Sequence, residues 1–351
     1  MRTNCSIRFL LPILLTILSC NCAKQPAAPP APFDWDAVSV SFDEDQIQKD
    51  FDTSQRITLK KTLTLQTDSS GPIVEFPRFL KIRNSHIYLY DTYLGQVLVF
   101  DLDGKYRWSS SPIEQNSREL ITDMDITVGH RIVLMSTNDL FFMGKTGSVV
   151  KLAYSGQGCV YMPQSVYSVN KADTLSAGRP LVTEISMKGE FVHSYGTYNF
   201  TDVETGDTKY NFRLWRNGPE LYVWNGDLPE ISIMNVISSD QFLVRLQHPI
   251  FIKRGMFNTD TYTGKDTTLG IFTIFTDIEV HGGRIFALIE NDEIMMVAEI
   301  GRSGIITKLY THPIASRETV LDFAVNMQRG KPSFWVVIGA PTRMNVYRYE
   351  Y

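Results

Sequence analysis

Three acids recur at one place in a repeated pattern: Asp123 in Asp-Met-Asp-Ile, Asp277 in Asp-Ile-Glu-Val and Asp322 in Asp-Phe-Ala-Val. Carboxylates brought to one point can hold a hard cation such as Ca²⁺, or serve metal-assisted hydrolysis or elimination. An Asp at the start of a strand can equally cap turn amides or tie neighbouring elements together. The equivalent place in the first copy is Phe79, with Arg78 beside it, and Arg213 lies near the start of another copy. Both the ligand or metal reading and the structural reading stay open at this level.

The remaining chemistry-bearing residues give weaker signals. The six histidines show neither i,i+4 nor His-Glu-x-x-His spacing, and three of them (His86, His130 and His281) fall in or beside turns. Asp101-Leu102-Asp103-Gly104 opens like a Ca²⁺ loop but lacks the later oxygen ligands, and Asp-Gly between apolar runs signals a hairpin. There is no Gly-x-Ser-x-Gly elbow, phosphate-binding loop or dinucleotide fingerprint. Cys159 reads as a buried small apolar residue. A candidate binding loop carries Tyr195, Tyr198 and Phe200, with Trp215 offering a further aromatic face for a sugar or a partner protein. Strand-borne Trp224 and Trp335 read as packing.

These residues must be positioned by strands. Phe79–Ile82, His86–Tyr90 and Gln96–Asp101, followed by an Asp-Gly turn and another strand, form a meander. It recurs twice, with the turn glycines Gly104, Gly147 and Gly189 spaced 43 and 42 residues apart. Looser copies follow at 212–244, 277–300 and 322–349, with an insertion over 252–268 between the fourth and fifth. The sixth copy stops one strand short. The stretch Arg56–Leu65 alternates apolar and polar ahead of the first copy and supplies the missing strand, which would close a ring and remove a free edge. The expected fold class is all-β: a six-bladed β-propeller over 56–351, its last blade closed by an N-terminal strand.

The motifs Ile87-Tyr88-Leu89-Tyr90-Asp91 and Val97-Leu98-Val99-Phe100-Asp101-Leu102-Asp103-Gly104-Lys105 resemble the NHL/TolB-like six-bladed propellers, and most nearly the propeller lipoproteins of Bacteroidetes. The resemblance covers Arg56–Tyr351, and copies three and four have diverged from it. It implies a six-bladed toroid on an envelope lipoprotein, mostly without an assigned activity. Converging channel acids are what propeller lactonases and lyases use to hold Ca²⁺.

The N-terminus gives an address. Arg2 and Arg8 bracket a basic start, and Phe9–Leu18 is an apolar run of ten residues. At about 1.5 Å per residue it spans half a bilayer core, the length of a secretory signal rather than a spanning helix. Ile17-Leu18-Ser19-Cys20 resembles a bacterial lipobox, which implies cleavage after 19 and acylation of Cys20, with several acyl chains holding the protein stably. Residues 20–55 then read as the lipidated cysteine and a Pro/Ala-rich tether. No disulfide framework remains. The post-Cys20 segment lacks an acidic run, so a periplasm-facing domain on the outer membrane is expected.

Composition limits the function classes. With 43% hydrophobic residues and a formal charge of −4, the chain is globular and not a nucleic-acid binder. The expected function is an envelope lipoprotein whose propeller binds a protein, peptide or glycan without catalysis. The alternatives are a metal-dependent hydrolase or lyase using the channel acids, and a purely structural envelope component.

Overall fold

The computed structural model describes residues 56–65, 72–127, 129–145, 149–154, 156–162, 164–170, 179–198, 212–225, 229–246, 251–258, 267–273, 275–289, 294–340 and 343–351. The signal, Cys20 and the tether fall outside them.

Two short strands, β1 (Arg56–Thr58) and β2 (Lys60–Thr64), precede the repeats. Blade one is β3 (Pro77–Arg83), β4 (His86–Asp91), β5 (Gln96–Asp101) and β6 (Tyr106–Ser109). Blade two is β7 (Ile121–Ile126), β8 (Ile132–Ser136), β9 (Asp139–Met143) and β10 (Val150–Ala153). Blade three is β11 (Gln157–Tyr161), β12 (Ser165–Val169), β13 (Pro180–Ser186) and β14 (Phe191–Thr197). Blade four is β15 (Phe212–Asn217), β16 (Glu220–Asn225), β17 (Glu230–Asn235) and β18 (Gln241–Arg245). The insertion is a separate hairpin, β19 (Ile252–Asn258) with β20 (Thr267–Thr273). Blade five is β21 (Phe275–His281), β22 (Arg284–Ile289), β23 (Ile294–Ile300) and β24 (Ile306–Pro313). Blade six has three strands of its own, β25 (Thr319–Gln328), β26 (Lys331–Ala340) and β27 (Arg343–Glu350).

The fourth strand of blade six is β2, antiparallel to β27 with Lys60 opposite Glu350, as the sequence pattern requires. The other N-terminal strand does something the pattern did not reveal. β1 adds to blade five, parallel to β24, with Ile57 opposite Tyr310. Between the two strands Leu59 is buried (1% exposed), and its amide donates to the Thr311 carbonyl at 2.8 Å. One ten-residue segment therefore covers the outer edges of two adjacent sheets, and unpaired edges are the exposed liability of such a fold.

The core confirms ring closure. Buried side chains form six clusters, one for each pair of neighbouring blades. Tyr90 meets Met124 between blades one and two, Phe142 meets Tyr161 between two and three, and Val160 meets Leu214 between three and four. Trp224 meets Ile278 between four and five, Phe286 meets Phe334 between five and six, and Leu80 meets Trp335 between six and one. Both faces of nearly every sheet are covered, so the strands read as runs of Val, Ile, Leu and aromatics rather than as a clean alternation. The fold is a six-bladed β-propeller.

Candidate functional site

The innermost strand of each blade lines the central channel, and its alternate residues obey a parity rule. In β3 and β7, Leu80 with Ile82 and Met124 with Ile126 enter the core shared with the preceding blade. The opposite set, Phe79 with Lys81 and Asp123 with Asp125, points toward the channel and the following blade. In five blades the register with the second strand slips just before this set: between Pro77 and Phe79, Ile121 and Asp123, Gln157 and Cys159, Phe275 and Asp277, and Val320 and Asp322. Blade four pairs without a slip. A bulge re-aims the residue that follows it, so the three recurrent aspartates arrive at equivalent places around one mouth of the channel.

There they bound a cavity of about 110 Å³ together with Arg78, Phe79, Lys81, Arg213, Trp215, Thr276 and Leu321. All five candidate channel residues therefore line one pocket. The aspartates are 5–7% exposed, and their oxygens accept backbone amides. Asp123 accepts the Met124 amide on Oδ1 and the Cys159 amide of blade three on Oδ2, both at 2.8 Å. Asp322 accepts the Phe323 amide (2.9 Å) and the Leu80 amide of blade one (2.6 Å). Asp277 accepts the Ile278 amide at 2.8 Å and a hydrogen bond from Asp322. Innermost strands are sheet edges with N–H groups that lack a ladder partner, and these carboxylates satisfy them across blade boundaries. One step deeper, Asp125 does the same for the Tyr161 amide at 2.7 Å.

The cation at the centre of this cluster is Lys81. Its Nζ lies 3.0 Å from Glu279 Oε1, with the Glu279 side chain 2% exposed. Burial alone would lower the Lys81 pKa, but Glu279, Asp277, Asp123 and Asp322 together raise it above its ordinary value. Burial would likewise raise Glu279, yet the ammonium, helped by His281 and Arg83, holds it down to about 2. Burial raises Asp123 and Asp125, with Lys81 and, respectively, Arg213 and Arg83 opposing. Burial, and then the neighbouring Asp277 charge, push Asp322 well above the ordinary carboxylate range, and burial raises Asp277 as well.

Opposite blades also exchange cation–π contacts across the channel. Lys81 Nζ of blade one lies 5.8 Å from the Trp215 ring of blade four, and the Arg213 guanidinium of blade four lies 6.0 Å from the Phe79 ring of blade one. Arg213 Nη1 donates to the Thr122 carbonyl at 2.6 Å. Two donors on this wall have no partner among the described residues: Arg213 Nε and Trp215 Nε1, both buried.

The aromatic binding loop needs correction. Trp215 sits on strand β15, 4% exposed, and lines the channel cavity rather than an outer loop. Tyr198 is 6% exposed and packs into the core between blades three and four. Tyr195 is half-buried, with its hydroxyl donating to Glu184 Oε2 at 2.7 Å, and Phe200 lies outside the described residues. Cys159 is buried, as its surroundings in the sequence imply. Lys81, Asp125 and Glu279 went unrecognised in the sequence. Their signal was a charged residue two positions after Phe79, Asp123 and Asp277, at the same strand parity.

No family model and no curated protein matches this sequence. The fold is similar to a Bacteroides vulgatus member of the DUF4221 family, with 8% identity and a TM-score of 0.51 over 83% of this chain and 98% of that one. It is also similar to a Bacteroides fragilis protein assigned as exported, with 9% identity and a TM-score of 0.50 over 84% of this chain and 98% of that one. At such identities the likeness bears on the fold alone. A Myxococcus xanthus glutaminyl cyclase aligns with a TM-score of only 0.39, too low to bear on activity.

Proposed function

We propose that this chain is an envelope lipoprotein, cut before Cys20 and held by its acyl chains. Its propeller, of the NHL/TolB-like kind, binds an envelope protein, peptide or glycan at the channel mouth without catalysis. The periplasmic face of the outer membrane is the proposed location, consistent with the Bacteroides fragilis relative in fold being assigned as exported. The supporting observation is how the cavity's acids are used: they are committed to backbone amides and to one another, which leaves the mouth lined by engaged carboxylates beside Arg78, Arg213 and Trp215.

The competing hydrolase or lyase needs several carboxylate oxygens free to surround a cation, since Ca²⁺ takes six to eight oxygen ligands. Here the oxygens of Asp123 and Asp322 already accept amides, and the Lys81 ammonium already supplies a positive charge among these acids. Among the described residues no three His, Cys, Asp or Glu side chains are grouped to hold a metal ion.

Two experiments test the proposal. Cys20→Ala should release the protein from the membrane fraction and abolish palmitate incorporation; retention of both would refute the anchor. A photo-crosslinking residue at Leu321, which is 42% exposed at the mouth, should trap a discrete adduct in the native envelope. An adduct that survives Arg213→Ala unchanged, or the absence of any adduct, counts against binding at this mouth.

A further inference from the structure

The face opposite the mouth has a different character. Each blade turns from its first to its second strand, and from its third to its fourth, at the end away from the aspartates, so these turns surround the far opening of the channel. Five of the six first-to-second turns carry arginine or lysine within or next to the turn: Arg83, Arg131, Arg216, Arg284, and Arg329 with Lys331. The one acid there among the described residues is Glu220, and Arg302 of blade five takes its carboxylate. The chain as a whole carries −4, so this basic ring runs against the overall charge. Arg83 and Arg284 are directed to Asp125 and Glu299. Arg131, Arg329 and Lys331 are exposed and have no acidic partner among the described residues.

The same face carries apolar tips. Ile237, in the turn between β17 and β18, is 82% exposed, and Ile305, just ahead of β24, is 66% exposed. Beside them the Arg302 guanidinium lies 5.0 Å from the Phe242 ring. Cations attract anionic headgroups, while apolar side chains gain by entering the boundary between headgroups and acyl chains. The N-terminal strand points the same way. β1 is parallel to β24, with Arg56 opposite Leu309, so the amino end of Arg56 is directed toward the start of β24 and Ile305. The sequence that carries Cys20 joins the domain from this side.

We infer that the face opposite the mouth docks on an anionic lipid surface, its basic ring against the headgroups and Ile237 and Ile305 dipping among them. This rests on the lipid-anchor reading and adds an orientation to it: the mouth faces away from the membrane and stays open to a partner. An acidic protein offers the same charge, but the entry of the anchored segment beside Ile305 favours lipid. Each Lys or Arg close to such a surface strengthens binding about fivefold. The contact is weak and screened by salt; it orients the domain, and the acyl chains supply the retention.

The test uses the chain from residue 20 onward with Cys20→Ala and Cys22→Ala, which carries no acyl chain. Its flotation is measured with vesicles of phosphatidylethanolamine and phosphatidylglycerol, and with vesicles of phosphatidylcholine. The expected result is flotation with the anionic vesicles, lost at high salt, and none with phosphatidylcholine. Arg329→Glu combined with Lys331→Glu should weaken binding at least about tenfold, and Ile237→Ser combined with Ile305→Ser at least about threefold. All four side chains are exposed, so unchanged melting curves verify that the variants fold. An environment-sensitive fluorophore on Ile237→Cys should shift to the blue with anionic vesicles, and one on Leu321→Cys at the mouth should not; Cys159 is buried and stays unlabelled. Equal flotation with phosphatidylcholine, or a blue shift at Leu321 in place of Ile237, would overturn the inference. No flotation at all would also overturn it and leave the basic ring to an acidic protein. Palmitate incorporation into the native protein tests the anchor separately, so failure of one reading is told from failure of the other.

Discussion

Replacing Lys81 with methionine removes its ammonium from the heart of the channel and leaves its stem volume nearly intact. Glu279 would then be 2% exposed without its 3.0 Å partner. The Glu279 carboxyl is held down to about 2 against an ordinary 4.5, a difference corresponding to about 3 kcal/mol. Removing one member of a buried pair costs about 3–5 kcal/mol, so the two routes agree. For a domain of about 300 residues, with an unfolding entropy of about 0.6 kcal/mol/K, that is a fall in Tm of roughly 5–8 °C. The pH dependence carries the sharper test. In the native protein the Glu279 contribution is present above pH 4.5 and is lost as pH falls toward 2. In Lys81→Met the carboxyl has burial without an ammonium, its pKa rises above 4.5, and falling pH relieves the defect by protonation. The stability gap between the two proteins should therefore be widest at pH 7 and should narrow by pH 4. Urea unfolding at pH 7, 5.5 and 4 measures this directly. Lys81→Met combined with Glu279→Gln should recover at least half of the loss at pH 7. A gap below about 1 kcal/mol, or one that does not change with pH, would refute the assignment of Lys81 as the internal cation.

Other perturbations follow from the same geometry. Asp123→Ala strips the acceptor from the buried Met124 and Cys159 amides and should cost about 2–5 kcal/mol in urea unfolding; a cost under 1 kcal/mol would show that these amides find another acceptor. Gly304 has φ +81°, and a Cβ there would stand 2.2 Å from the Arg245 carbonyl oxygen of blade four. Gly304→Ala should lower Tm by several degrees, whereas Gly330→Ala, at the same φ but with open space around it, should cost only about 1–2 kcal/mol of backbone strain. Deleting residues up to Leu65 exposes the edges of β24 and β27. It should lower Tm and produce concentration-dependent self-association in sedimentation velocity, both reversed by adding a peptide spanning 56–65.

Much of the architecture was legible because it is repetitive. The spacing of Gly104, Gly147 and Gly189 and the missing sixth-copy strand lead to six blades and to β2 as the closing strand. The pairing of β1 with blade five was not legible, because the alternation of Arg56–Leu65 reads as one strand and only the buried Leu59 marks where it changes partner. The recurrence of Asp123, Asp277 and Asp322 placed them at one mouth because a register slip precedes each of them at the same point of its strand. Lys81 was hidden by its setting in Phe-Leu-Lys-Ile, which reads as an amphipathic strand until its parity is compared with Asp125 and Glu279. Trp215 and Tyr198 were misplaced for a related reason. Propeller strands are buried on both faces, so a polar neighbour, such as Arg216 after Trp215 or Thr197 before Tyr198 at the end of β14, carries no information about an aromatic's exposure.

The most direct test of the central account is the metal content of the purified, tag-free domain from Phe33 to Tyr351, measured by elemental analysis beside Asp277→Asn. If Lys81 is the cation of the channel and the aspartates serve backbone amides, neither protein will contain a stoichiometric divalent ion, and added Ca²⁺ will leave both melting curves unchanged. One equivalent of metal in the native domain that is lost in Asp277→Asn would contradict the account and turn the channel acids into a metal-dependent active site.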